Sequence, residues 1–130
     1  MKLLLLGDIV GRAGREWVLN NLPILKKNHR IDAAIVNVDN ASGGFGVTSA
    51  HAQALLDAGA DVLTGGDHVF DQKDISGFLG QSNRLLRPIN FPDDVVGKGE
   101  VLIALPSGQK LLVLHALGQV FHKENLDCPF

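Results

Sequence analysis

The chain has 130 residues, with 12 Lys and Arg against 14 Asp and Glu for a net charge of -2, 45% hydrophobic residues and one cysteine. Cationic residues scattered along a slightly acidic chain exclude the basic footprint of a nucleic-acid or anionic-membrane binder, and no apolar run approaches the ~20 residues of a transmembrane helix. A single cysteine excludes an internal disulfide framework and fits a reducing cytoplasm, so the expectation is one cytoplasmic domain over residues 1–130.

The chain opens on Lys2-Leu3-Leu4-Leu5-Leu6-Gly7-Asp8. Four leucines in a row show no alternation, which predicts a strand buried on both faces, as in a parallel sheet. A helix follows from near Gly14 with Val18, Leu22 and Leu25 on one face; Pro23 is expected to kink or restart it, and Asn28-His29-Arg30 closes it. The second unit is a β-branched strand over residues 33–38, the loop Asp39-Asn40-Ala41-Ser42-Gly43-Gly44-Phe45-Gly46, and a helix. Thr48 is the expected N-cap of that helix, Ala52, Leu55 and Leu56 face inward, and Gly59 is its C′ residue. The third unit is the strand Asp61-Val62-Leu63-Thr64, the loop Gly65-Gly66-Asp67-His68-Val69-Phe70-Asp71, and a short helix carrying Ile75, Phe78 and Leu79 inward, with Asp71 as its expected N-cap.

Three strand–loop–helix units in succession predict an α/β fold with a right-handed, mostly parallel sheet. Residues 84–90 then suggest a short strand ending at Pro88. Residues 100–105 and 110–114, joined by Pro106-Ser107-Gly108-Gln109, predict a C-terminal β-hairpin. Residues 116–130 show no clear period.

Asp8, Asp39 and Asp67 each follow a predicted strand directly. Neighbouring strands lie ~4.8 Å apart, so these carboxylates fall along one sheet edge, where open α/β sheets bind ligands. Carboxylates that close repel one another and hold their protons unless a cation neutralises them. A hard divalent cation with oxygen ligands suits the set. His68 places an imidazole at the same rim, suited to act as a ligand or a general acid. Asn40 adds a neutral amide, and the glycines before Asp8 and Asp67 and after Asn40, Gly43 and Gly44 among them, let a phosphate approach backbone N–H groups.

His115 ends the last predicted strand and is a further candidate for that rim. His29, His51 and His122 fall on helix or tail positions and read as solvated. Each residue has an ordinary alternative: an Asp after a strand is often a turn former or an N-cap, and a strand-end histidine often has a backbone partner. The spacing of Gly7, Gly11 and Gly14 is not that of a dinucleotide loop. There is also no Walker loop, no Gly-x-Ser-x-Gly elbow, and no base beside Cys128.

Five motifs appear in order: Gly7-Asp8-Ile9-Val10-Gly11-Arg12, residues 39–46 as written above, Gly66-Asp67-His68-Val69-Phe70-Asp71, Arg84-Leu85-Leu86-Arg87-Pro88 and Asp127-Cys128-Pro129-Phe130. Together they resemble the YmdB-like branch of the calcineurin-like metallophosphoesterases, over the whole chain. The resemblance implies a metallophosphoesterase-like layered sandwich, four layers α/β/β/α in the family, of which this chain matches the N-terminal half. It implies two divalent cations per complete site, manganese or iron, and hydrolysis of a small phosphodiester or cyclic nucleotide, 2′,3′-cyclic nucleotides included. By it, Asp8 is a terminal metal ligand, position 39 the bridging carboxylate, Asn40 a phosphate contact, position 67 a ligand of the second metal, and His68 the acid that protonates the leaving oxygen. The implied chemistry is attack of a metal-bound hydroxide on phosphorus.

The chain departs from the family in three ways. The family usually carries Glu where Asp39 stands, one methylene longer, and Asn where Asp67 stands, one negative charge fewer. Its members are about twice as long, and the histidines that complete both metal sites come from the second half. A chain with half the ligands is expected to bind metal weakly. Two rivals to an active phosphodiesterase follow: a nucleotide- or metal-binding regulatory protein, and a homo-oligomer in which a second copy rebuilds the site, with His115 or His122 of the other copy supplying imidazoles.

Overall fold

The computed structural model describes residues 1–120 and 126–129. Four strands, β1 (Leu3–Leu6), β2 (Ala33–Asn37), β3 (Val62–Thr64) and β4 (Leu85–Leu86), form one sheet in the order β1-β2-β3-β4, every pair parallel. Between them run the helices α1 (Gly11–His29), α2 (Ser49–Asp57) and α3 (Ile75–Gln81). A hairpin of β5 (Glu100–Ala104) and β6 (Lys110–Leu114) follows, with Leu102 opposite Leu112. The predicted α/β plan, parallel sheet and C-terminal hairpin all stand.

Side-chain alternation assigns each face of the sheet a different cover. Ala34, Val36, Leu63 and Leu85 join Val18 and Leu22 of α1, Leu55 of α2, and Ile75 and Leu79 of α3 in the main core. The opposite face turns Val62 and Leu86 onto Val113 of the hairpin, with Ile35, Val101, Ile103 and Leu111 around them. Helices, parallel sheet and hairpin thus stack as α/β/β. The connection is pinned where Arg87 N–H donates to the Lys98 carbonyl (2.9 Å) and Ile89 N–H to that of His115 (2.7 Å).

Several local expectations are corrected. Helix α1 starts at Gly11 rather than near Gly14 and runs unbroken past Pro23 to Arg30, whose αL conformation ends it. Asp71 does not cap α3; Asp74 stands at its N-cap position. Thr48 does cap α2, its hydroxyl accepting from His51 N–H at 3.2 Å, and Gly59 takes φ +108° after it. The leucine strand is buried on one face only: Leu4 and Leu6 pack on the core, while Leu5 is 70% exposed. The cause is position, since β1 is an edge strand and the hairpin packs on β2, β3 and β4. Among the described residues, no helix is long and apolar enough to cross a membrane.

Candidate metal and phosphate site

All four parallel strands point the same way, so the loops after β1, β2 and β3 share one edge. The loop after β2 starts at Asp39, which is almost fully buried. Its Oδ1 accepts from the backbone N–H groups of Gly66 and, at 3.2 Å, of His68. A Cβ at position 66 would stand 2.5 Å from Asp39 Oδ2, so this close fit requires glycine. Burial pushes the Asp39 carboxyl up to about 6; the Gly66 N–H works against the rise, while the charge of Asp67 and a side-chain hydrogen bond with it add to it. Asp39 and Asp67 thus act on each other as neighbouring carboxyls.

His68 is partly buried beside that pair. Its Nδ1 lies 2.7 Å from Asp71 Oδ2 and its Nε2 3.8 Å from Asp67 Oδ2. Burial alone would lower its pKa; the Asp71 hydrogen bond and the charges of Asp67, Asp39 and Asp71 outweigh it and hold the imidazole above its usual value. The ring of Phe45 meets the imidazole edge to face, with centroids 5.2 Å apart. Asp8 sits at the other side of the rim, exposed, with its Oδ2 accepting from Asn40 Nδ2 at 2.8 Å.

The loop over residues 39–46 is tied from several directions. Gly46 N–H donates to the Asp39 carbonyl (2.6 Å) and Ser42 N–H to the Gly46 carbonyl (2.8 Å). The Arg15 guanidinium of α1 donates to the Ala41 carbonyl, and Gln72 Nε2 to the Phe45 carbonyl at 2.5 Å. Ser42 Oγ accepts from Thr48 N–H (3.0 Å) and shares a second hydrogen bond with His51 Nδ1 at 2.7 Å. His51 is thus not solvated as expected; burial, then the Arg15 charge, lowers its pKa. Gly43 and Gly44 lie on the loop's outer turn with φ +70° and +90°.

Of the expected residues, Asp39, Asp67 and His68 are brought together, with Asn40 bridging toward Asp8. The three aspartates do not close into one group: among the described residues, no three His, Cys, Asp or Glu side chains are placed to hold a metal ion. His115 belongs to the hairpin, directly after β6. It lines an apolar cavity of about 360 Å³ between β1 and the hairpin, with Leu3, Leu5, Ile35 and Thr64. There its Nε2 is buried with no hydrogen-bond partner among the described residues, and burial lowers its pKa. Its carbonyl accepts from Ile89 N–H (2.7 Å), just past the end of β4, so it stands in the hairpin's layer at the same end of the sheet as the rim. His29 is exposed at the end of α1, and His122 lies outside the described residues. Sequence reasoning passed over Phe45 and favoured an N-cap for Asp71; the three-residue spacing from His68 to Asp71 was the available signal.

The sequence model of the YmdB-like protein family matches residues 4–130. A 2′,3′-cyclic-nucleotide 2′-phosphodiesterase of Bacillus subtilis (strain 168) is 37% identical over 130 residues, covering 100% of this chain and 48% of its own. Two solved structures share the fold. A hypothetical protein from Thermus thermophilus has a TM-score of 0.90 at 32% identity, covering 99% of this chain and 49% of that one. A novel phosphatase of Mycoplasma pneumoniae has a TM-score of 0.82 at 32% identity, covering 92% and 43%. The chain spans about half the length of the curated relatives it matches.

Proposed function

The chain belongs to the family of YmdB-like proteins, and on that footing we propose that its strand-end site serves hydrolysis of a small phosphodiester, with 2′,3′-cyclic nucleotides as the first substrates to try. The observation that carries this reading is His68, held by Asp71 at 2.7 Å beside the Asp39–Asp67 pair. A proton carrier adjoins a concentration of negative charge that calls for a cation.

The donor chemistry fits a hard divalent ion in part. Asp39 and Asp67 are oxygen donors whose mutual repulsion such an ion relieves, with Asp8 as a donor across the rim. We assign it as manganese or iron, two ions in a complete site. When bound, the metal polarises the phosphoryl group and offsets the charge that develops on it. The chain's own residues do the rest. With Nδ1 tied to Asp71, His68 keeps Nε2 for the mobile proton, and the raised pKa enlarges the protonated fraction able to deliver it to the leaving sugar oxygen. Asn40 uses one amide N–H on Asp8 and has a second for a phosphate oxygen. Gly43 and Gly44, without side chains, admit the phosphate close to the backbone. A reducing cytoplasm suits the exposed thiol of Cys128.

The test is turnover of a 2′,3′-cyclic nucleotide in Mn²⁺ by the chain and by His68→Ala. The expected loss in kcat is roughly 10²–10⁴, with Mn²⁺ binding retained. Equal loss of both would make His68 a ligand instead. Nucleotide binding without turnover would place the chain among regulatory binders.

One observation favours a second reading, self-association. Leu102, Leu112 and Leu114 are each more than half exposed on the hairpin, as is Leu5 on the edge strand β1, which suits a homo-oligomer.

A further inference from the structure

We propose that Phe45 is the nucleobase platform of this site: its exposed ring stacks the base of a nucleoside phosphate whose ester oxygen faces His68. The inference rests on the phosphodiesterase reading above and adds the residue that selects a nucleoside over a bare phosphate ester.

Phe45 is 57% exposed, yet its backbone is tied on both sides. Its N–H donates to the Ser42 carbonyl (3.3 Å), and its carbonyl accepts from Gln72. The next residue, Gly46, holds φ +66°, and a Cβ there would stand 2.5 Å from the His68 carbonyl oxygen. The turn therefore brings the Phe45 ring and His68 together through the backbone. An apolar ring held in water by a rigid loop loses little conformational entropy when it binds.

Geometry selects the ligand. His68 Nε2 is the nitrogen left to reach the leaving oxygen, because Asp71 takes Nδ1. In a nucleoside 2′,3′-cyclic phosphate that oxygen belongs to the ribose that carries the base. The base must then lie beside the imidazole, and among the described residues Phe45 is the aromatic ring in contact with it. Aromatic stacking tolerates any base, since each presents a π face. Among the described residues, Trp17 is the other exposed aromatic near the rim, 52% exposed beside Asp8 in a cavity of about 530 Å³. It belongs to the β1 side, two strands from β3 and His68, roughly 10 Å across the sheet.

The test is equilibrium binding by calorimetry, in Mn²⁺, of adenosine 3′-monophosphate and of inorganic phosphate, to the wild-type chain and to Phe45→Ala, Phe45→Trp and Trp17→Ala. Phe45→Ala is expected to weaken the nucleotide about tenfold, to leave phosphate within twofold, and to melt at the wild-type temperature. Phe45→Trp keeps nucleotide affinity. Where turnover is measurable, KM for the cyclic nucleotide rises while kcat holds. Equal weakening of both probes would make Phe45 a prop for His68 and overturn the proposal, as would selective nucleotide loss in Trp17→Ala. A wild-type chain that binds neither probe overturns the phosphodiesterase reading and this one with it, whereas phosphate binding with no preference for the nucleotide overturns this one alone.

Discussion

The Asp39 carboxylate occupies the space that a side chain at Gly66 would need: Oδ2 lies 2.5 Å from where a Cβ would stand, and the Gly66 N–H donates to Oδ1. The two loops that carry the site are fitted to each other at this point. Gly66→Ala must push the carboxylate off its donors or shift the loop after β3. A loss of roughly 1–3 kcal/mol is expected, the scale of overpacking. In an Asp39→Ala background most of that cost should vanish, because the clashing group is gone. Urea unfolding of the two single variants and the double variant measures the coupling; additive costs would show that Gly66 is needed for some other reason.

Asp39 also makes the metal-free protein sensitive to mild acid in an unusual direction. Its folded pKa, about 6, lies above the ordinary 3.8. Between those values the folded state holds a proton that the unfolded state has released, so stability falls as pH rises across the window. The full difference is about 3 kcal/mol at 1.36 kcal/mol per unit, present below about pH 4 and lost above about pH 6. Asp39→Asn should flatten that part of the profile in metal-free buffer. A divalent cation competes with the same proton, so Mn²⁺ should stabilise the wild type more at pH 7 than at pH 5.

The fold was legible because its signals were local. Strand patterns, the Thr48 cap and Gly59 each act within a few residues, and their repetition specified a parallel sheet. Burial at the edges was not legible, since whether Leu5 is covered depends on where the hairpin lands, far away in the chain. The site followed the same rule. Asp39, Asp67 and His68 were readable as strand-end residues, and Asp8 as the matching residue on β1. The tilt of Asp8 toward Asn40, the pairing of Ser42 with His51 and the support of Ala41 by Arg15 join residues up to 32 positions apart, and no pattern in the sequence marks them. His115 shows the limit most clearly: ending a strand puts a residue at an edge, but the register of β6 decides which layer it faces.

Asp71 sets the protonation of His68 from the side away from Asp67. Its hydrogen bond to Nδ1 fixes the tautomer and helps hold the pKa above its usual value. Asp71→Asn should lower the His68 pKa, read directly by NMR titration of its ring protons. An acid in the chemical step must be protonated, so activity falls as pH rises through that pKa. The alkaline limb of kcat should therefore move to lower pH in Asp71→Asn, with Mn²⁺ affinity little changed. An unmoved limb would assign the limb to another group.

The outer face of the hairpin gives the last prediction. Leu102 and Leu112 are cross-strand partners, and with Leu114 they stand 51–57% exposed. Exposed apolar side chains grouped in this way mark an association surface. The chain should sediment as a dimer or larger species at micromolar concentration. Leu112→Lys with Leu114→Lys should shift it to monomer, and since both side chains already face water, each change should cost within about 0.5 kcal/mol of fold stability. Analytical ultracentrifugation with a matched urea melt separates the two effects. A wild-type monomer would remove the self-association reading, while a monomeric double variant that has also lost several kcal/mol would show that these leucines support the fold itself.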